Sequence, residues 1–377
     1  MNKIFFTIVF LTAVCFYSLA NNCFPLISPD EPRYAETARE MIESGNLITP
    51  HCDYQLRFDK PILFYWLESL SLKAFGLNEF AARLPSVFAG AGLIWLAFLL
   101  ANLHGYAISA SLILLTNFAM LVFSRLAVTD MLLNFFISAS LVFFYLGYYR
   151  ISFKKHQFAL KTNLSSRWLI SSFAMMGLAV LCKGPVGIVL PIIVILSFLT
   201  YEGHLKDFGE KSMKHLLIGV LVFLAITLPW YVSVHLATSG EFTKEFFLGH
   251  NLSRFTSVHT GHHAPFWFYL PVIMIGFFPW IFFLIPAIWS SSTIKNFSAN
   301  SEPSLDARTI RFCIIWAITI FVFYSLSQTK LPTYILPIFL PLSIIVAKWW
   351  QDKFKTNKSQ NNKNQDLLRA TQCLLFI

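Results

Sequence analysis

The chain has 377 residues, 56% of them hydrophobic and only 13% charged, with 40 phenylalanines and a formal net charge of +10. Soluble domains average about half apolar residues and roughly a quarter charged. A water-soluble protein of two or three domains is therefore excluded, and the apolar surplus calls for a bilayer. The cations lie mostly between and beyond apolar runs, where membrane topology accounts for them better than nucleic acid does.

In chain order, apolar runs fall near residues 4–20, 80–101, 107–124, 130–149, 168–182, 184–201, 214–236, 267–289, 311–327 and 332–349. Each approaches the roughly 20 residues that a helical crossing needs. An all-α polytopic membrane protein with about ten spans is predicted. The first run reads as a retained helix rather than a cleaved signal segment. Pro185, Pro191, Pro229, Pro271 and Pro279 interrupt some runs, which packed membrane helices tolerate.

Basic residues set the sides. The segment 150–167, "RISFKKHQFALKTNLSSR", holds five Lys/Arg and no acid, and Lys348, Lys353, Lys355, Lys358, Lys363 and Arg369 follow the last run. Both segments fall inside if the N-terminus is cytoplasmic. Residues 1–349 then form a membrane domain, with 350–377 as a polar cytoplasmic tail.

On this topology, residues 21–79 make a long outer loop holding nine of the 19 acids. "SPDEPRYAETAREM", residues 28–41, lies within it. Pro32 suits a first helical turn and Gly45 a helix stop, which predicts a helix over 32–44. A second pattern, "PILFYWLESLSLKAFG", runs from Pro61 to Gly76. Both are too short to span and are expected to lie along the membrane surface as amphipathic helices. Cys23 and Cys52 share this loop and can pair if it faces an oxidising compartment. Cys15, Cys182 and Cys313 fall in or at the ends of apolar runs, where cysteine acts as a small hydrophobe.

Other polar residues stand out in apolar surroundings: Arg125, Asp130, Lys183, His250, Asn251, Arg254 and Lys330. All fall at outer span ends or in outer loops, the side that also holds Asp30, Arg33, Asp59 and Lys60. Ionisable groups at membrane depth are costly and mark working sites, so a single outer-facing pocket is expected. Each has a plainer reading. Asp30 and Glu31 precede Pro32 and can cap the helix. Arg39 and Glu43 fit a helical i,i+4 pair. Lys183 and Lys330 can be snorkelling anchors, and Asp130 can pair with Arg125. His259, His262 and His263 resemble a metal cluster but sit in a Gly-containing loop.

Seven stretches taken together resemble a known family: "SPDEPRYAETAREM", "FDKPILFYW", "FAARLPSVFAG", "SRLAVTDMLL", "CKGPVGIVLP", "GHNLSRF" and "SLSQTKLPTYILP". They look like the bacterial aminoarabinose transferases of lipid A, which belong with the protein O-mannosyltransferases among the polyprenyl-phosphate-dependent GT-C glycosyltransferases. The resemblance covers about residues 20–345. It implies a helical bundle in the bacterial inner membrane with a periplasmic site. That site would move a sugar from an undecaprenyl or dolichyl phosphate to an outer-leaflet acceptor, lipid A or another glycan or protein acceptor, with inversion.

The leaving group in such a reaction is a phosphate, which needs cationic partners more than a general acid. By resemblance, Arg33 and Lys60 contact the donor phosphate, supported by Tyr34 and Tyr334, with Lys183 and Lys330 adding charge. Asp30 is the first-loop carboxylate of the catalytic set, with Glu31 beside it and Asp130 as a second acid. Tyr34, Asp59, His250, Asn251 and Arg254 line the substrate pocket. The resemblance fixes no required cofactor, and a divalent cation stays among the alternatives. Some relatives hold a divalent cation at positions matching Asp59 and His250, but the shorter Asp in place of Glu at position 59 counts against it here. Relatives continue into further spans and an outer soluble domain, whereas this chain finishes with "DLLRATQCLLFI". Two other readings are a lipid-linked sugar transporter or flippase and an inactive truncated relative.

Overall fold

The computed structural model describes residues 3–149, 151–154, 157–160, 163–246, 264–290 and 305–360. Helix α1 (Lys3–Ser18) leads to α2 (Asp30–Ser44), a small antiparallel hairpin of β1 (His51–Cys52) and β2 (Gln55–Leu56), and α3 (Leu63–Phe75). Then come α4 (Glu79–Ala101), α5 (Ala107–Thr116), α6 (Phe118–Phe123) and α7 (Thr129–Tyr149). A second antiparallel hairpin, β3 (Ile151–Lys154) and β4 (Gln157–Leu160), precedes α8 (Asn163–Lys183), α9 (Val186–Tyr201), α10 (Leu205–Ala237) and α11 (Glu241–Lys244). Last are α12 (Tyr269–Gly276), α13 (Ile281–Trp289), α14 (Leu305–Leu326) and α15 (Phe339–Gln360), with a 3-10 turn over Pro332–Ile338 before α15.

Local chemistry sets the boundaries. Gly45, at φ 69°, ends α2 in the left-handed region that favours glycine. The Asn78 side chain accepts from the Ala81 amide at 2.9 Å and starts α4. Asn117 does the same for Met120 at 2.9 Å, and this cap divides the apolar run 107–124 into α5 and α6. Asp53 and Tyr54 turn the first hairpin at φ 54° and 58°, a tight two-residue link. Cys23 and Cys52 are both free thiols, so the disulfide is not formed. Cys23 instead donates weakly to the Asn22 side chain at 3.8 Å and Cys52 to the Arg33 carbonyl at 4.0 Å.

Among the described residues, five helical stretches are long and apolar enough to cross a membrane: Glu79–Ala101, Thr129–Tyr149, Ser212–Ala237, Leu305–Leu326 and Pro332–Phe354. A sixth arises if the pair Phe266–Gly276 and Ile281–Trp289, bent by 113°, counts as one span. Shorter apolar helices lie at Thr7–Ser18, Ala107–Thr116 and Val186–Tyr201. The protein is a polytopic all-α membrane bundle. Its centre is α7, whose apolar stretch is 89% buried against 22% for α10. Helix α7 packs most extensively on α8 and also meets α4 and α9. Gly187 lets α9 fold back on α8, because a Cβ there would lie 2.5 Å from the Ala179 backbone carbon.

The two ends of the bundle carry separate ionic systems. At one end Glu202 takes Arg308 at 3.2 Å and Arg311 at 3.4 Å, while Lys348 bridges Asp306 at 3.0 Å and also pairs with Asp352. There the Tyr148 hydroxyl also bonds the His204 ring at 2.7 Å. The other end gathers the start of α7, the end of α8, the approach to α15 and the long first loop.

Candidate active site

The site is built around α7 and α8. These helices run antiparallel, so the first turn of α7 meets the last turn of α8. Lys183 Nζ lies 2.5 Å from Asp130 Oδ1, and the two side chains are 13% and 16% exposed. A mostly buried cation needs such a partner. Thr333 and Lys60 also lie near enough to act on Asp130. The Lys183 ammonium also sits 4.8 Å from the centre of the Tyr334 ring, a cation–π distance. Lys330, buried just before that segment, donates to the Ser327 carbonyl at 2.5 Å.

The first loop closes over this cluster. Tyr34 is buried on α2 with its ring 5.3 Å from Phe64 and 5.8 Å from Tyr65, and it lies within electrostatic range of Asp130. Asp30 lies one helical turn before Tyr34, and Arg33, the preceding residue, is turned about 100° away from it; both are exposed. Lys60 Nζ donates to the Asp59 carbonyl at 3.1 Å, and the Asp59 carboxylate faces Arg57 at 3.4 Å. The loop thus brings Tyr34 and Lys60 to the buried pair of Asp130 and Lys183.

Glu31, expected beside Asp30 in the catalytic set, is held elsewhere. Its carboxylate takes Arg83 Nε and Nη2 at 3.0 and 2.8 Å, the Ile27 amide at 2.7 Å and the Ala127 amide at 2.6 Å. Arg83 in turn donates to the carbonyls of Asn21, Phe24 and Pro25. Both side chains are almost completely buried. This clamp ties α2, α4 and the turn before α7 into one unit. Arg125 does not pair with Asp130; it donates to the Phe16 carbonyl at 3.0 Å. Neither Asp30 nor Glu31 caps α2 from its N-cap position, which is Pro29. Arg39 makes the expected pair with Glu43 at 2.8 Å and adds Glu36 at 2.7 Å, holding the Glu36 carboxyl below its usual range.

Sequence reasoning did not single out Arg57, Arg83 or Thr333. Arg57 lies over the Tyr34 ring at 5.2 Å and donates to the Arg33 carbonyl at 2.9 Å, so it braces α2. Arg83 carried a readable signal, a lone arginine in the apolar run "FAARLPSVF", because a buried guanidinium requires a carboxylate. His250, Asn251, Arg254, His259, His262 and His263 lie outside the described residues. Among the described residues no three His, Cys, Asp or Glu side chains are disposed to hold a metal ion. Asp59, one half of the expected cation pair, faces a guanidinium instead.

A one-ended cluster of lysines, tyrosines and carboxylates under a helical loop, on a bundle of this order, defines a GT-C-type membrane protein. Residues 3–240 match the family described as dolichyl-phosphate-mannose-protein mannosyltransferase, and the chain belongs to that family. It is 32% identical over 350 residues to the undecaprenyl phosphate-alpha-4-amino-4-deoxy-L-arabinose arabinosyl transferase of Shewanella sediminis, covering 90% of this chain and 59% of that protein. The second such transferase of Proteus mirabilis is 33% identical, with 88% and 58% covered. Among solved structures, ArnT from Cupriavidus metallidurans bound to undecaprenyl phosphate superposes with a TM-score of 0.76 at 30% identity, covering 92% of this chain and 60% of that one. The oligosaccharyltransferase of Archaeoglobus fulgidus shares the fold alone, at 15% identity and a TM-score of 0.66. The chain spans about three fifths of the length of these transferases.

Proposed function

We propose that the protein transfers a sugar from a polyprenyl-phosphate donor to an outer-leaflet acceptor, with lipid A or another glycolipid as the leading candidate and an aminoarabinose-like sugar as the donor group. The carrying observation is the ion pair of Lys183 and Asp130 under Tyr334, with Lys60 beside it. That arrangement keeps a desolvated cation where a lipid phosphate reaches the rim of the bundle.

In this reading the donor phosphate lies against Arg33, Lys60, Lys183 and Lys330, with Tyr34 and Tyr334 in support. The bond between the anomeric carbon and the phosphate oxygen breaks. The bonding pair leaves on the phosphate, where the cations neutralise it. The acceptor oxygen attacks from the opposite face and forms the new glycosidic bond with inversion. If that oxygen is a hydroxyl, Asp30 takes its proton; if it belongs to a phosphate, Asp30 orients the sugar. Asp130 is a positioning residue that holds Lys183, and Glu31 is a positioning residue that holds the loop. Asp59 is assigned to the sugar side, a role the sequence also gives to His250, Asn251 and Arg254 outside the described residues, and no step needs a metal.

The topology proposed with this function has ten crossings, a cytoplasmic N-terminus and a periplasmic site, with α2 and α3 along the membrane surface. Residues 1–349 form the membrane domain and 350–377 the cytoplasmic tail. Support comes from the basic segments, which belong to the end opposite the site. A transporter reading fares worse, because transporters place polar groups near the bilayer midplane and the ionic clusters here lie at the ends of the bundle.

Asp30→Asn and Lys60→Ala should each abolish transfer while leaving the protein in the membrane. The assay is mass spectrometry of lipid A from cells expressing each variant. Full modification by both variants would place the chemistry elsewhere.

A further inference from the structure

A cavity of about 750 Å³ lies between α1, α3, α4 and α7, away from the ionic site. Its volume falls within the roughly 300–1,000 Å³ of small-molecule sites, and its wall is almost wholly hydrocarbon, with Phe10, Leu70, Ala89, Trp95 and Phe135 prominent. The two hydroxyl residues on the wall are Thr7 and Ser71, and both have protein partners; Ser71 donates to the Ala81 carbonyl at 2.6 Å. Nothing on the wall asks for a polar ligand.

Shape and orientation narrow the occupant. On α4 the lining runs from Leu84 to Trp95, a rise of roughly 16 Å at 1.5 Å per residue. That is about half the hydrocarbon thickness of a bilayer, one leaflet. Leu70, Phe75 and Phe88 line the cavity yet are 66%, 60% and 50% exposed, so its mouth opens sideways into lipid. Gly92 leaves room for the Phe135 ring, because a Cβ there would come within 2.5 Å of it. On α7 the lining residues Leu132, Phe135 and Phe136 point roughly opposite to Asp130, at about 100° per residue. A lipid whose phosphate reaches Lys183 therefore has α7 between its headgroup and this cavity.

We propose that the cavity holds one acyl chain of a bilayer glycerophospholipid, as a resident lipid distinct from the sugar donor. The inference does not depend on the transfer reaction, since it rests on the cavity, its depth and its lateral mouth.

The test uses the full chain purified in mild detergent, incubated with phosphatidylethanolamine and examined by native mass spectrometry. Wild type should retain one phospholipid per chain. Ala89→Trp, which fills the cavity, and Leu70→Trp, which narrows its exposed mouth, should each lower that occupancy roughly tenfold, the effect of about two lost methylene contacts. Leu70→Trp changes an exposed side chain, so it keeps the test open if Ala89→Trp fails to fold. Equal retention by all three proteins, or none by wild type, would overturn the proposal. So would displacement of the phospholipid by undecaprenyl phosphate, which would assign the cavity to the donor's tail.

Discussion

At Glu68 on α3 the side chain is fully buried and neither carboxylate oxygen has a hydrogen-bond partner. Burial, and then the negative charge of Glu31, push its carboxyl well above the usual range against the pull of Arg57. The folded protein therefore holds a proton there that the unfolded chain has released above about pH 4.3. Stability should fall as pH rises from that point to the raised folded value. Glu68→Gln should flatten this slope, melting like wild type at pH 4 and higher than wild type at pH 8 in detergent. Equal melting at both values would mean the site is not proton-linked. The sequence marks such residues as unusual without naming their partners. Asp130 and Lys183 stood out because charge in an apolar run is costly, but 53 residues separate them and only the antiparallel packing of α7 on α8 brings them together. Glu31 was legible as a charge next to Asp30, while its burial against Arg83 depends on tertiary structure.

Elements were more readable than contacts. The predicted helix over 32–44 is observed as Asp30–Ser44, and the pattern between Pro61 and Gly76 as Leu63–Phe75. Proline at the start and glycine at the stop are local signals that need no tertiary information. The run 107–124 looked continuous because hydropathy does not register a capping side chain, and Asn117 divides it. The run near 267–289 bends by 113° between α12 and α13, at the break that holds Pro279, one of the interruptions the sequence does mark. The elbow between α8 and α9 supplies a direct test. Gly187→Ala would place a methyl against the backbone of Ala179, which has no flexible end to move aside. Overpacking of this kind costs about 1–3 kcal/mol, so the variant should melt lower and release Lys183 from Asp130. Unchanged melting and unchanged activity would show that the elbow can open without penalty.

For the whole molecule, charge asymmetry between the two ends was the most informative signal. The ends are built differently: buried bridges among Glu202, Arg308 and Arg311 at one, and a cluster under the long first loop with its two helices at the other. In intact cells whose Cys23, Cys52 and Cys373 are replaced by Ser, a membrane-impermeant thiol reagent should label Asp30→Cys. Lys353→Cys should react only after permeabilisation. The reverse pattern would invert the proposed topology. The Glu31 carboxylate has a further implication for how the protein is made. One of its ligands, the Ala127 amide, is 96 residues later in the chain. The first loop therefore emerges from the ribosome long before its anchor exists, and the acid must wait in water. Only when the turn ahead of α7 has been synthesised can the loop lock shut, so assembly of this end of the bundle is timed by elongation.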